Sequence, residues 1–160
     1  MLGIDTTVLV RFLVRDDEAQ FEKARRLIRR EVDAGEDVFV SLMVLMETEW
    51  VLRSGYTLQK TQVMEAISGL LDTTEVQLED EPAIEETLLM WKDSAADFAD
   101  CLIGAHNRRL GCRATATFDE KAVKLAACRG TVTLRSERWP RALAARIVLS
   151  NRDLSRPLRR

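Results

Sequence analysis

Four carboxylates, Asp5, Glu47, Asp100 and Asp119, stand where a purely structural role strains to account for them, and Asp97 lies three residues before one of them. Asp5 ends the first apolar segment (L-G-I-D) and is followed by Thr6 and Thr7, any of which can cap the helix that begins near Val8. Glu47 has Met43, Val44, Trp50 and Val51 as its helical neighbours, so its face reads as apolar. A carboxylate buried on such a face must be paired, protonated or bound to a cation. Glu49 projects away from that face and reads as a solvated surface acid. Asp97 and Asp100, in A-A-D-F-A-D-C-L-I-G-A, read equally as an N-cap with a first-turn acid and as a metal ligand with its support. Asp119 closes an apolar segment (A-T-A-T-F) and taken by itself reads as a helix cap.

Gathered together, such acids repel one another and raise each other's pKa unless a cation neutralises them. An all-oxygen site suits Mg²⁺ or Mn²⁺, with waters completing the coordination. The rest of the chain narrows the chemistry. His106 is the only histidine and reads as a surface or packing residue, so no Ser-His-Asp or Cys-His set assembles readily. There is no Gly-rich phosphate loop. Cys101, Cys112 and Cys128 are odd in number and unpaired in spacing, which argues against disulfides and zinc. What remains is hydrolysis by metal-activated water, for which acid clusters serve at phosphodiesters.

Those acids need a scaffold that brings strand ends together. The pattern predicts strands at Met1–Ile4, Asp37–Ser41, Glu75–Leu78, Ala114–Thr117 and Thr131–Leu134. Helices are expected over Val8–Val14, from Asp16/Asp17 to Ala34, and over Leu42–Arg53, Gln59–Leu71, Pro82–Trp91, Ala99–Leu110 and Asp119–Ala127. Strands alternating with helices imply crossover units and a parallel sheet covered on both faces. Ligands of such sheets sit at the carboxyl ends of the strands, where Asp5 and Asp119 fall.

The length of 160 residues allows one domain plus a tail, and 46% apolar with 31% charged residues is the mix of a folded protein. The net charge of −2 is unevenly placed: from Ser136 onward seven arginines face Glu137 and Asp153, a local +5 that leaves −7 on the remainder. With Trp139 its only aromatic residue, this basic end reads as a solvated tail sooner than as a nucleic-acid arm. No leader-like start or spanning apolar run is present, so a cytoplasmic protein without membrane attachment is expected.

The segments L-G-I-D-T-T-V-L-V-R, L-M-V-L-M-E-T-E-W-V-L-R, D-F-A-D-C-L-I-G-A and T-F-D-E, in this order and spacing, resemble the PIN-domain nucleases, and among them the VapC-type toxins. The resemblance covers about residues 1–135 as a nuclease domain and leaves 136–160 as a basic C-terminal extension. It implies a three-layer α/β/α sandwich on a mostly parallel sheet. It also implies a metal site of Asp5, Glu47, Asp100 and Asp119 holding Mg²⁺ or Mn²⁺, with Asp5 and Asp100 the direct ligands. Thr6, Thr7 and Asp97 would support that site; the family usually has Asn where this chain has Thr7. Further implications are RNA cleavage, a homodimer and an antitoxin partner that blocks the acidic pocket. The competing expectations are a PIN-like module that binds RNA or protein without cutting, and a phosphatase of the haloacid-dehalogenase type. The latter needs a second Asp where Thr7 stands.

Overall fold

The central strand of the fold, Val38–Val40, has both valines fully buried and Phe39 half-buried. An apolar run of this kind survives only when both faces of a strand are covered, and crossover helices provide the cover. A computed structural model describes residues 1–126 and 131–133. In chain order they form β1 (Leu2–Gly3), α1 (Thr6–Val14), α2 (Glu18–Asp33), β2 (Val38–Val40), α3 (Leu42–Ser54), α4 (Lys60–Leu71), β3 (Val76–Leu78), α5 (Glu81–Lys92), α6 (Phe98–Arg109), β4 (Thr115–Thr117), α7 (Glu120–Ala126) and β5 (Thr131–Thr133). The result is the expected α/β sandwich with parallel pairing throughout. Every sequence-derived element is found, its bounds shifted by a few residues at most. The extension from 136 to 160 lies outside the described residues.

The pairing divides in two. β2 lies between β1 and β3, with Leu2 opposite Val38 and Phe39 opposite Gln77. β4 pairs with β5, Thr115 opposite Thr131, as a separate two-stranded sheet among the described residues. Asp5 and Asp119 therefore follow strands of different sheets, and the elements that relate them are helices: α6 packs against α3, β4 and α7.

Local signals set the helix ends. Ser41 Oγ accepts from Val44 N at 3.3 Å to start α3, and Asp17 Oδ1 accepts from Gln20 N at 2.9 Å to start α2. Gly35, at φ +76°, takes the left-handed turn after α2 that side chains resist. Asp80 adopts φ +53° before α5, with Pro82 in the first helical turn. Its carboxylate accepts from Arg109 and meets His106 Nδ1 at 2.8 Å. Burial would raise the Asp80 pKa, but the bonds to His106 and Arg109 outweigh it and hold the group below its ordinary value.

The core runs from β2 through Leu45 and Leu52 of α3, Val63 and Ile67 of α4, and Ile84 and Trp91 of α5, all essentially inaccessible. Trp91 meets Phe98 edge to face at 5.1 Å between ring centroids. Lys60 Nζ lies 5.1 Å over the same indole and donates to Ser94 O at 2.9 Å. Trp91 thus supports the turn that launches α6, the helix carrying Asp100. Trp91→Ala is expected to cost about 3–5 kcal/mol of stability, read as a lower midpoint in urea denaturation.

Candidate active site

Asp5 occupies the N-cap of α1, and its Oδ1 accepts from Val8 N at 2.9 Å. Thr6, the next residue, is buried and donates from Oγ1 to Glu47 Oε2 at 2.5 Å, joining the start of α1 to the middle of α3. Asp5, Thr6, Thr7 and Glu47 line one cavity of about 480 Å³ with Arg11 and Tyr56. Arg11 is engaged there: it bonds Asp16, Gln20 Oε1 at 2.8 Å and Tyr56 Oη at 2.8 Å. The hydrogen bonds from Tyr56 and Arg11 hold the Asp16 carboxyl below its usual range. Arg15 is also engaged, its guanidinium 4.0 Å over the Phe21 ring.

The other acids gather at α6 and α7. Asp97 stands at the N-cap position of α6, but its side chain makes no cap hydrogen bond. Asp100 sits in the first turn, and Asp119 Oδ1 accepts from Lys121 N at 2.6 Å and Ala122 N at 3.2 Å to begin α7. Burial raises the Asp100 pKa, and the charges of Asp119 and Asp97 raise it further. A cavity of about 630 Å³ has Glu47, Glu49, Trp50, Arg53 and Asp97 on its wall, so one acid of each group borders it, while Asp5 and Asp100 line separate cavities.

Two sequence readings of α3 are corrected. Glu47 is exposed, and the face it shares with Met43 and Trp50 is open to solvent, so no burial penalty singles it out. Glu49 is the more enclosed acid, its side chain only 13% exposed and 3.8 Å from Arg53. Burial pushes its pKa up, partly countered by Arg53. Helical spacing showed which residues share a face but not which face meets the core. His106 is engaged by Asp80, as a packing histidine would be.

The PIN domain family model matches residues 3–127. The chain belongs to the PIN domain family. It is 26% identical over 122 residues to a VapC ribonuclease of Aquifex aeolicus, covering 76% of this chain and 90% of the relative. A solved structure, the Mycobacterium tuberculosis sarcin-ricin loop cleaving toxin VapC20, aligns with 82% of this chain and 98% of its own at 22% identity and a TM-score of 0.36.

Within this PIN domain the donor chemistry near Asp100 fits a hard divalent cation. The groups that face one another there are carboxylates, and the nearest thiol, Cys101, is buried and pushed up to about 11, mainly by desolvation. Among the described residues no three His, Cys, Asp or Glu side chains are close enough to cage an ion by themselves. Mg²⁺ commonly binds through one or two carboxylates and keeps several waters, so it suits this sparse arrangement.

The raised Asp100 pKa has a sign that can be checked. Stability from its protonated form is fully present below the unfolded value of about 4 and is lost as pH rises through the higher folded value. In chelator, Asp100→Asn should therefore melt higher than wild type at pH 7, the gap shrinking as pH falls toward about 4. Thermal melts of both proteins across that range measure it.

Proposed function

We propose that this PIN domain is a Mg²⁺- or Mn²⁺-dependent endoribonuclease and the toxin of a toxin–antitoxin pair. The observation that carries the reading is that Asp97 and Asp100 stand at the start of α6 while Asp119 caps α7, a helix packed against α6. Glu47 borders the cavity that Asp97 also lines. The similarity to a VapC ribonuclease supports RNA as substrate, and an antitoxin partner follows from the resemblance to the VapC-type toxins. In this reading the nuclease domain spans 1–135 and works in the cytoplasm as a homodimer.

Asp5 and Asp100 hold the cation, while Glu47 and Asp119 complete the negative charge or orient the attacking water. Bound there, a hard cation supplies neutralisation of phosphodiester charge and a water of lowered pKa. The residues do the rest. Asp5 and Asp119 each give Oδ1 to a helix cap, and the second oxygen of each carboxylate is the one suited to ligation. Thr6 fixes the Glu47 carboxylate by donating to Oε2. Asp97, not used by its own helix cap, adds charge beside Asp100.

Purified protein should cut RNA with Mg²⁺ or Mn²⁺ and stop in chelator. Outer-shell changes at metal sites cost about 10- to 100-fold, so loss of a ligand should exceed about 100-fold. Asp5→Asn and Asp100→Asn are the informative variants, since Asn retains capping ability at Asp5. Undiminished cleavage by either variant removes that residue from the site. Thr6→Val, which frees the Glu47 carboxylate, should lower kcat about 10-fold with little change in KM. RNA bound with metal but never cut would instead support a binding module. Growth arrest on expression, relieved by a neighbouring gene's product, tests the toxin role.

A further inference from the structure

Among the described residues the aromatic side chains are packed into the protein with two exceptions. Phe12 stacks on Phe21 at 6.0 Å, Trp91 meets Phe98, and Tyr56 Oη is held by Arg11 and Asp16. Trp50 is 65% exposed and Phe118 74% exposed. Both adjoin a proposed catalytic acid. Trp50 lies three residues after Glu47, about one helical turn along α3, and Phe118 immediately precedes Asp119.

The surroundings of Trp50 indicate what covers it. It shares the 630 Å³ cavity with Glu47, Glu49 and Asp97, and among the described residues the only cation on that wall is Arg53. With no cation bound, three carboxylates repel an RNA backbone, so a contact that is not ionic adds attraction at this spot. An exposed indole supplies one, because every unpaired base presents a π-face, and base–aromatic stacking is strong and tolerant of base identity. The cavity volume lies in the range of sites that take a molecule the size of a nucleotide. Arg53, with long contacts to Glu49 at 3.8 Å and to the Trp91 ring at 5.8 Å, can reach for a phosphate oxygen.

We propose that Trp50 and Phe118 stack unpaired RNA bases beside the scissile phosphodiester, so that the enzyme selects single-stranded or looped RNA through base planes presented next to its acids. The inference rests on the ribonuclease reading and adds the residues that hold the substrate. It requires a chain whose bases are splayed, and a continuous duplex, with its bases stacked on one another, cannot engage them.

The test uses the full chain with Mg²⁺ and a short unpaired RNA that it cuts once. A second set of the same RNA carries a single abasic residue at each position around the cut. Trp50→Ala should lower kcat/KM about 5- to 150-fold on intact RNA, the range one stacked base is worth, while Trp50→Phe keeps most of the activity. On one abasic substrate the Trp50→Ala loss should disappear, because the base it stacks on is gone. Phe118→Ala should show the same pattern at a different position. The proposal is overturned if either Ala variant cuts intact RNA within twofold of wild type. It is also overturned if the loss persists on every abasic substrate, or if it accompanies a halving of particle mass in solution, which assigns the face to a second copy of the chain. A wild type that cuts no RNA overturns the ribonuclease reading, and this inference with it. A wild type that cuts, with variants that cut equally, overturns only the stacking.

Discussion

Like charges stay side by side in a folded protein only where something offsets their repulsion, and here the offset comes from helix beginnings. Asp5 caps α1, Asp97 and Asp100 stand at the start of α6, and Asp119 caps α7. The unpaired amides and dipole of a helix N-terminus stabilise a nearby carboxylate by about 0.3–1 kcal/mol. That helps to hold each acid in position but does not offset everything acting on Asp100, whose pKa is raised first by burial and then by the charges of Asp119 and Asp97. Glu47, in the middle of a helix, has no such help and relies on the Thr6 hydroxyl. The proposed site is therefore one of helix starts, and the sheets act by aiming them.

This arrangement explains why the structural and chemical readings of the acids do not compete. A cap uses one carboxylate oxygen, and Asp5 and Asp119 both use Oδ1. A capped Asp remains rigid and ionisable, which are the properties a metal ligand needs. Among the described residues the two exposed aromatic rings, Trp50 and Phe118, adjoin Glu47 and Asp119 in the chain.

The elements were legible because their signals are local: Ser41 before an apolar helix, Gly35 after one, β-branched residues in β2. The acids were legible as unusual placements, and their family pattern covers the greater part of the chain. What escaped is non-local. The apolar stripe of Met43 and Trp50 suggested a buried face, but whether a face meets the core depends on what packs opposite it, and here nothing described does. Glu49 was misjudged for the same reason. The split between the three-stranded and two-stranded sheets follows from pairings between distant segments, which local pattern does not encode. Asp80 gave no warning either: its role needs a positive φ and partners 26 and 29 residues away.

That clasp has a mechanical meaning. α6 is fastened at its rear, where His106 and Arg109 grip Asp80, and bears Asp100 at its front. A helix is stiff over so short a span, and α6 is held at both ends, by this clasp at the rear and by Phe98 against Trp91 at the front. Loosening the rear clasp would let the helix pivot on its Phe98–Trp91 contact, and Asp100 would shift relative to Asp119 without any nearby atom having been altered. Sequence change at the back of this molecule can thus register at its front as a change in how Asp100 meets Asp119.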